Sequence, residues 1–184
     1  MIKIIDNLLP HQQWQELHDY FLIHDCPWVY RDCMVCKDEK NTHFQFVQAM
    51  FLGSGVGPIL FDEKRVSVIQ PILARLNIDF LLRAKVNMTT RTHEPFQSDF
   101  HCDTTQNNLT AIYYVNTCNG KTRFENPDIE DVDSVANRVV IFNAQQRHCT
   151  VTATDVKARV VANINYLPRR SNTWRPDSSS SPST

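Results

Sequence analysis

The stretch His101-Cys102-Asp103 opens the part of the chain that decides its fold and its chemistry. A second histidine, His148, follows 47 positions after His101, and Arg159 comes 11 positions later. Successive side chains of a strand point to opposite faces, so His101 and Asp103 would project to one side and Cys102 to the other. Two imidazoles and one carboxylate on one face of an iron(II) ion leave the opposite positions open for substrate and O2. The pattern predicts a metal site formed by His101, Asp103 and His148.

Strand-like segments surround this stretch. Apolar and alternating patterns predict strands at 80–89, 109–116, 139–142 and 156–166. The dipeptide Asn119-Gly120 predicts a hairpin through which 122–125 pairs back onto the strand before it.

Earlier in the chain, residues 2–5 and 43–52 look like strands, and helical spacing predicts helices over 10–23 and 62–77. Pro71 should kink or restart the second helix. Two helices followed by many strands predict a mainly β fold with flanking N-terminal helices, either an antiparallel barrel or a double-sheet jelly roll.

The length of 184 residues and the 42% hydrophobic content fit a single domain over 1–168. Within it, 1–79 would form helical support and 80–167 a catalytic β-core. The Ser/Pro-rich tail over 169–184 is expected to be disordered. No motif identifies the glycine-rich loop at 53–57 as a phosphate-binding loop.

Charge and hydropathy argue against two classes of partner, nucleic acids and membranes. The 19 basic and 20 acidic residues nearly cancel, which disfavours a nucleic-acid partner. Neither a signal peptide nor an apolar run of about 20 residues is found, so we expect a soluble, cytoplasmic protein without membrane contact.

The six cysteines are scattered, and in a chain without an export signal free thiols are expected. The motif Cys33-Met34-Val35-Cys36 is interpreted as structural, because neither a second CxxC nor a redox-type βαβ context accompanies it. Cys102 and Cys149 are expected to be core thiols.

Arg159 turns a metal site into a more specific hypothesis. On a strand it shares one face with Val161, Asn163 and Asn165. A guanidinium facing a barrel interior is costly without an anion, and it can bind a carboxylate bidentately. The alternative is that Arg159 faces solvent or pairs with Asp103 or Asp155.

The combination of His101, Asp103, His148 and Arg159 resembles the HxD…H…R pattern of the 2-oxoglutarate- and iron(II)-dependent oxygenases. The runs at 109–116 and 137–142 are similar to the prolyl-4-hydroxylase branch, and small stand-alone bacterial and phage members are of similar size. The resemblance covers about 80–167 and implies a double-stranded β-helix there.

By this resemblance, His101, Asp103 and His148 would bind iron(II), and Arg159 would bind the distal carboxylate of 2-oxoglutarate with help from Tyr114. Strand parity adds further candidates for the cosubstrate pocket, namely Asn87, Asn163 and Asn165. The resemblance also implies O2 as a reactant and ascorbate as an auxiliary reductant.

The implied activity is hydroxylation of an aliphatic C–H bond in a peptidyl or free amino acid, with proline as one candidate, and release of succinate and CO2. Two alternatives stay open: a nucleobase-demethylating oxygenase of the same chemistry, and a non-catalytic metal-binding jelly-roll module. The expected partner is a small-molecule or peptide substrate. The sequence does not indicate the oligomeric state.

Overall fold

The computed structural model describes residues 2–24, 26–35, 43–53 and 60–169. It contains two helices, α1 (His11–Leu22) and α2 (Glu63–Arg75). The described strands are β1 (Lys3–Ile5), β2 (Val29–Arg31), β3 (Gln45–Leu52), β4 (Leu60–Phe61), β5 (Ile78–Thr90), β6 (Leu109–Tyr114), β7 (Lys121–Phe124), β8 (Val132–Asp133), β9 (Arg138–Asn143), β10 (His148–Val151) and β11 (Ala158–Pro168).

Eight of these strands form one antiparallel sheet in the order β1-β9-β6-β11-β5-β3-β2, with β4 paired to β3. The smaller sheet has the order β10-β7-β8. The predicted mainly β fold with N-terminal helices is confirmed. The first 79 residues supply four strands as well as both helices, so they complete the large sheet in addition to supporting it.

The large sheet packs on both of its faces. One face buries alternate residues of β11, such as Val160 and Ile164, in a core that also contains Phe21 of α1 and Ile69 of α2. A second core contains Val161 of the opposite face together with residues of β7 and β9. Alternation along β11 therefore places its odd-numbered residues, including Arg159 and Asn163, between the two sheets.

The helices lie close to their predicted bounds. Asp62 caps the N-terminus of α2, where its side chain accepts hydrogen bonds from the backbone N–H groups of Lys64 and Arg65 at 3.0 and 3.3 Å. Pro71 lies inside this single helix, so the predicted restart does not occur. Neither described helix is long and apolar enough to cross a bilayer.

The predicted hairpin at Asn119-Gly120 is wrong. The strand that follows it, β7, pairs with β10 and β8 in the smaller sheet, whereas β6 pairs with β9 and β11 in the large one. The dipeptide thus lies on a connection between sheets. There Asn119 bonds to Thr154 and Asp155, so tertiary contacts outweigh the local turn preference.

A buried asparagine connects the chain start to the large sheet. Asn137, with φ of 64°, exchanges side-chain hydrogen bonds with the backbone of Leu9 at 2.9 and 2.8 Å. The same amide oxygen accepts from the Tyr113 hydroxyl at 3.0 Å. Asparagine tolerates the left-handed conformation better than most residues, which suits this position.

Two expectations about cysteines need correction. Cys33 is disulfide-bonded, so the cysteines are not all free thiols; Cys36, the other cysteine of the CxxC, lies outside the described residues. Cys102 is exposed, because the loop after His101 turns it toward the backbone carbonyl of Gln145. Cys149 is a buried free thiol, as predicted. The glycine-rich loop beyond Gly53 and the C-terminal tail beyond 169 also lie outside the described residues.

Candidate metal centre and adjoining cavity

The structure brings His101, Asp103 and His148 together. One ligand atom from each lies within 4.8 Å of the others, and His148 Nε2 is 3.7 Å from Asp103 Oδ2. His148 begins β10, and His101 lies on the segment that runs antiparallel to it. Residues 47 positions apart in sequence therefore become neighbours through strand pairing.

Both imidazoles direct the same nitrogen, Nδ1, toward a backbone carbonyl. Nδ1 of His101 lies 3.2 Å from the carbonyl oxygen of Asp99, and Nδ1 of His148 lies 3.0 Å from that of Gln146. A ring nitrogen facing a carbonyl carries the proton, which leaves the Nε2 lone pair available. This arrangement is typical of metal-binding histidines.

The Asp103 carboxylate is buried and held from several directions. Arg83 donates to Oδ1 at 2.7 Å, Thr110 donates to Oδ2 at 3.0 Å, and Asn163 donates to both oxygens at 3.1 and 3.2 Å. Burial by itself would raise the pKa of Asp103, but the neighbouring His148 and Arg83 outweigh it and hold the pKa well below its ordinary value. Asp103 is therefore ionised at neutral pH.

The histidines lie in an apolar surrounding. His148 packs against the rings of Phe142 and Phe124, with ring centroids 4.9 and 6.3 Å away. Burial, together with the neighbouring His148, lowers the pKa of His101. A neutral imidazole with an available Nε2 and an ionised carboxylate are donors that suit iron(II), so these residues fit the metal that the sequence pattern implied.

A cavity adjoins this cluster on the face of the large sheet that looks toward the smaller one. Its walls come from the large sheet, the smaller sheet and the segment around Met34. The polar side chains that line it include Lys85, Asn87, His101, Thr122, His148, Arg159 and Asn163.

Arg159 is buried in the wall of this cavity, with 2% of its surface exposed. Its Nε donates to Ser134 Oγ at 2.7 Å and its Nη2 to Thr122 Oγ1 at 3.3 Å. Neither partner is charged, and Arg159 forms no ion pair with any carboxylate of the described chain. The alternative that Arg159 faces solvent or pairs with Asp103 or Asp155 is therefore wrong. Burial lowers the pKa of Arg159, but a guanidinium starts so high that it stays charged.

Comparison with solved structures finds the same architecture. An oxidoreductase of the 2OG-Fe(II) oxygenase family from Burkholderia pseudomallei matches 90% of this chain and 84% of its own, with a TM-score of 0.64 and 8% identity. A prolyl-4-hydroxylase from Pseudomonas putida matches 92% and 93%, with a TM-score of 0.55 and 14% identity. The chain has the fold of the 2-oxoglutarate- and iron(II)-dependent oxygenases.

A third match to this oxygenase fold is the epimerase SnoN from nogalamycin biosynthesis, in complex with Fe3+, α-ketoglutarate and nogalamycin RO. It covers 91% of this chain and 78% of its own, with a TM-score of 0.59 and 14% identity. No protein-family model matches the sequence, and no curated protein matches it. The likeness is therefore one of fold, at very low sequence identity.

The other residues predicted for the cosubstrate pocket occupy different positions in the structure. Asn87 and Asn163 line the cavity. Asn165 is fully buried behind the wall, where its Nδ2 donates to Thr110 Oγ1 at 2.8 Å. Tyr114 is also buried, and its hydroxyl donates to Thr122 Oγ1 at 2.9 Å, the oxygen that also accepts from Arg159.

Several residues of the site were not singled out from the sequence. Arg83 pairs with Asp103, and Ser134 accepts from Arg159. Gly120 lies against Arg159, since a Cβ at this position would come within 2.7 Å of Arg159 Cδ. The polar alternation of β5 was a signal for Arg83. No sequence pattern indicates a role for Ser134, and the sequence predicts Gly120 only as a turn residue.

Proposed function

We propose that this protein is an Fe(II)- and 2-oxoglutarate-dependent dioxygenase that hydroxylates an aliphatic C–H bond of an amino acid, peptidyl or free, with proline as one candidate. The observation that carries the proposal is Arg159: a buried guanidinium without a counter-ion among the described residues, lining the same cavity as His101 and His148. A buried unpaired charge is costly, and a dicarboxylate that also reaches the metal would remove that cost.

The chain's residues have separate tasks in this proposal. His101, Asp103 and His148 would hold iron(II), which with 2-oxoglutarate and O2 supplies the oxidising chemistry and releases succinate and CO2. Asp103 stays ionised through its contacts with Arg83, so it can bind a cation at neutral pH. Ascorbate would act as an auxiliary reductant.

Arg159 would bind the distal carboxylate of 2-oxoglutarate. Ser134 and Thr122 fix its guanidinium plane, and the Tyr114 hydroxyl fixes Thr122 in turn. Asn87 and Asn163 would contact ligands directly, whereas Asn165 would act through Thr110 on Asp103. A rigidly held guanidinium loses little entropy when it binds a carboxylate bidentately.

The known activities and ligands of the matched proteins support the proposal. One is a prolyl-4-hydroxylase, and the SnoN structure contains Fe3+ and α-ketoglutarate. A shared fold hosts several reactions, so the choice of substrate rests on further experiment.

The test is succinate release from 2-oxoglutarate in the presence of iron(II), ascorbate and O2. The wild type should turn over slowly even without a primary substrate. His101→Ala should abolish this turnover, and Arg159→Ala should raise the 2-oxoglutarate requirement by tenfold or more. His93→Ala, at an exposed histidine outside the cluster, is the matched control and should behave as the wild type.

Two other outcomes would favour the alternative functions. Absence of succinate, together with absence of metal-dependent 2-oxoglutarate binding in calorimetry, would replace the oxygenase by the non-catalytic metal-binding module. Succinate release stimulated by an alkylated nucleobase, and by no amino acid or peptide, would favour the demethylase.

A further inference from the structure

A second cation, Lys85, lines the cavity from β5, the strand that pairs with the β11 strand of Arg159. Lys85 lies on β5, paired with Asn163 on β11 and Ala49 on β3. It lines the cavity and also the wider opening that leads outward, where Arg31 and Arg83 are neighbours. Lys85 therefore lies where a substrate would pass on its way to the metal centre.

No carboxylate of the described residues forms an ion pair with Lys85. Asp103 is the only carboxylate among the described residues that line the opening, and its oxygens already accept from Arg83, Thr110 and Asn163. Lys85 forms neither an ion pair nor a side-chain hydrogen bond with any residue of the described ranges. Burial and the nearby Arg83 lower the pKa of Lys85 to about 8 against the attraction of Asp103, so the amine is still largely protonated at neutral pH.

The distal carboxylate of the proposed cosubstrate does not supply the missing anion. One carboxylate of 2-oxoglutarate would bind at the metal and the other at Arg159. Asn163 is the strand partner of Lys85. It lies four residues after Arg159 on β11, which corresponds to roughly 13 Å along a strand. The four C–C bonds of about 1.5 Å between the carboxylates of 2-oxoglutarate span at most roughly 6 Å. The distal carboxylate, held at Arg159, therefore lies away from Lys85, and the other carboxylate would bind the metal cation. We expect a separate anion at Lys85.

Beside Lys85, the cavity presents an unsatisfied acceptor. Asn163 is 5% exposed, and its Oδ1 is buried without a hydrogen-bond partner in the described structure. Its orientation is fixed, because Nδ2 donates to Asp103 and a flipped amide would place two acceptors together. The oxygens of 2-oxoglutarate only accept hydrogen bonds, whereas an N–H or O–H donor of another molecule would satisfy Asn163 Oδ1.

We propose that the substrate is a free amino acid, whose carboxylate binds Lys85 and whose amino group donates to Asn163 Oδ1. This inference rests on the oxygenase function proposed above. An ammonium next to an unsatisfied carbonyl oxygen complements the carboxylate and amine of one zwitterion. A residue inside a peptide has no free α-carboxylate, so the same pair of groups does not favour a peptide substrate. Arg31 adds positive charge at the opening and attracts the carboxylate.

The experiment uses the full chain loaded with Zn(II), a diamagnetic substitute for iron(II), and 2-oxoglutarate. Binding of the twenty free L-amino acids is measured by ligand-observed saturation-transfer NMR. At least one should bind the wild type, and its affinity should fall by tenfold or more in Lys85→Met. The primary amide and the deaminated acid of the same compound should each bind more weakly, because each lacks one of the two groups.

Two controls separate the interpretations. Lys64→Met, at an exposed lysine on α2, should leave amino-acid binding unchanged. Lys85→Arg retains the charge and should recover most of the affinity, which distinguishes charge recognition from a folding defect of Lys85→Met. Binding of 2-oxoglutarate to the Zn(II) protein should be equal in the wild type and Lys85→Met.

The inference is overturned if none of the twenty amino acids binds, or if Lys85→Met binds them as well as the wild type. A loss of 2-oxoglutarate affinity in Lys85→Met would assign Lys85 to the cosubstrate and also overturn it. Failure of the proposed function looks different, because the wild type itself would then bind no 2-oxoglutarate in the presence of metal.

Discussion

His101 and His148 donate their backbone N–H groups to each other's carbonyl oxygens, both at 3.0 Å. This reciprocal pair places the imidazole centroids 4.8 Å apart. The two histidines are thus fixed by the backbone before any ligand binds, and Asp103 follows two residues after the first. Preorganisation of this kind lowers the cost of assembling a metal site.

Arg159→Met should leave the protein without 2-oxoglutarate as stable as the wild type, or more stable by up to about 4 kcal/mol. The reason is that a similar-sized apolar side chain replaces a buried charge that has no counter-ion in the described part of the chain. The wild type should gain about 2.7 kcal/mol at a 2-oxoglutarate concentration one hundred times its Kd, and the variant should lose most of that gain. Thermal unfolding of the Zn(II)-loaded proteins with and without 2-oxoglutarate measures both effects.

The matched control for Arg159→Met is Arg123→Met, which removes a partly exposed arginine paired with Asp131. Its response to 2-oxoglutarate should equal that of the wild type. An Arg159→Met protein that 2-oxoglutarate stabilises as strongly as the wild type would contradict the assignment of Arg159.

Gly120→Ala should weaken 2-oxoglutarate binding by about tenfold without abolishing folding. The new methyl group would come within 2.7 Å of Arg159 Cδ and 3.0 Å of the Val151 carbonyl oxygen, so Arg159 must shift. A shift of this size would misalign a bidentate contact. Calorimetric titration with 2-oxoglutarate provides the measurement.

Gly53→Ala is the comparison for Gly120→Ala. Its methyl group would meet the Leu82 carbonyl oxygen at 2.8 Å, away from Arg159. It should lower the free energy of unfolding but leave the 2-oxoglutarate affinity unchanged. Equal affinities for Gly120→Ala and the wild type would mean that the position of Arg159 does not depend on Gly120.

Thr110→Val and Asn165→Leu should each weaken metal binding by roughly tenfold. Thr110 donates to Asp103, and Asn165 donates to Thr110, so both residues orient the carboxylate from behind the cavity wall. Metal titration followed by tryptophan fluorescence measures the affinity.

The exposed Thr105→Val is the control for this pair and should match the wild type. Once the variants are saturated with metal, their 2-oxoglutarate affinity should be normal. A selective loss of 2-oxoglutarate affinity in Asn165→Leu would instead return Asn165 to the cosubstrate pocket, as strand parity first suggested.

Asn137→Ala should lower the free energy of unfolding by about 3 kcal/mol. Three buried hydrogen bonds, two with Leu9 and one with Tyr113, would be lost at roughly 1 kcal/mol each. Urea denaturation of the full chain measures the change. Tyr113→Phe removes one of the three bonds and should cost about 1 kcal/mol. Equal costs for the two variants would show that the contacts with Leu9 contribute nothing.

Much of the fold could be predicted from local pattern. Helical spacing located α1 and α2, and alternation located β5, β6, β9 and β11 within a few residues. Partner choice could not be predicted in this way: Asn119-Gly120 looks like a hairpin, yet the strand after it joins the other sheet. A turn preference of a few tenths to one kcal/mol is small beside the burial of a whole strand in a core.

The sequence by itself determined which side chains could form a metal site, because residues two apart such as His101 and Asp103 can reach one ion and the parity of Arg159 is a property of a strand. His101 forms only an isolated bridge and Asp103 lies in a bend, so strand alternation is not what joins these two. Only the tertiary structure decided which of the candidate side chains meet, and what surrounds them. Arg83, Ser134 and the close approach of Gly120 to Arg159 depend on contacts between different strands and connections, and such contacts leave no periodic signal in the sequence. Local alternation fixes the direction of a side chain, whereas its neighbours are fixed by how the sheets pack.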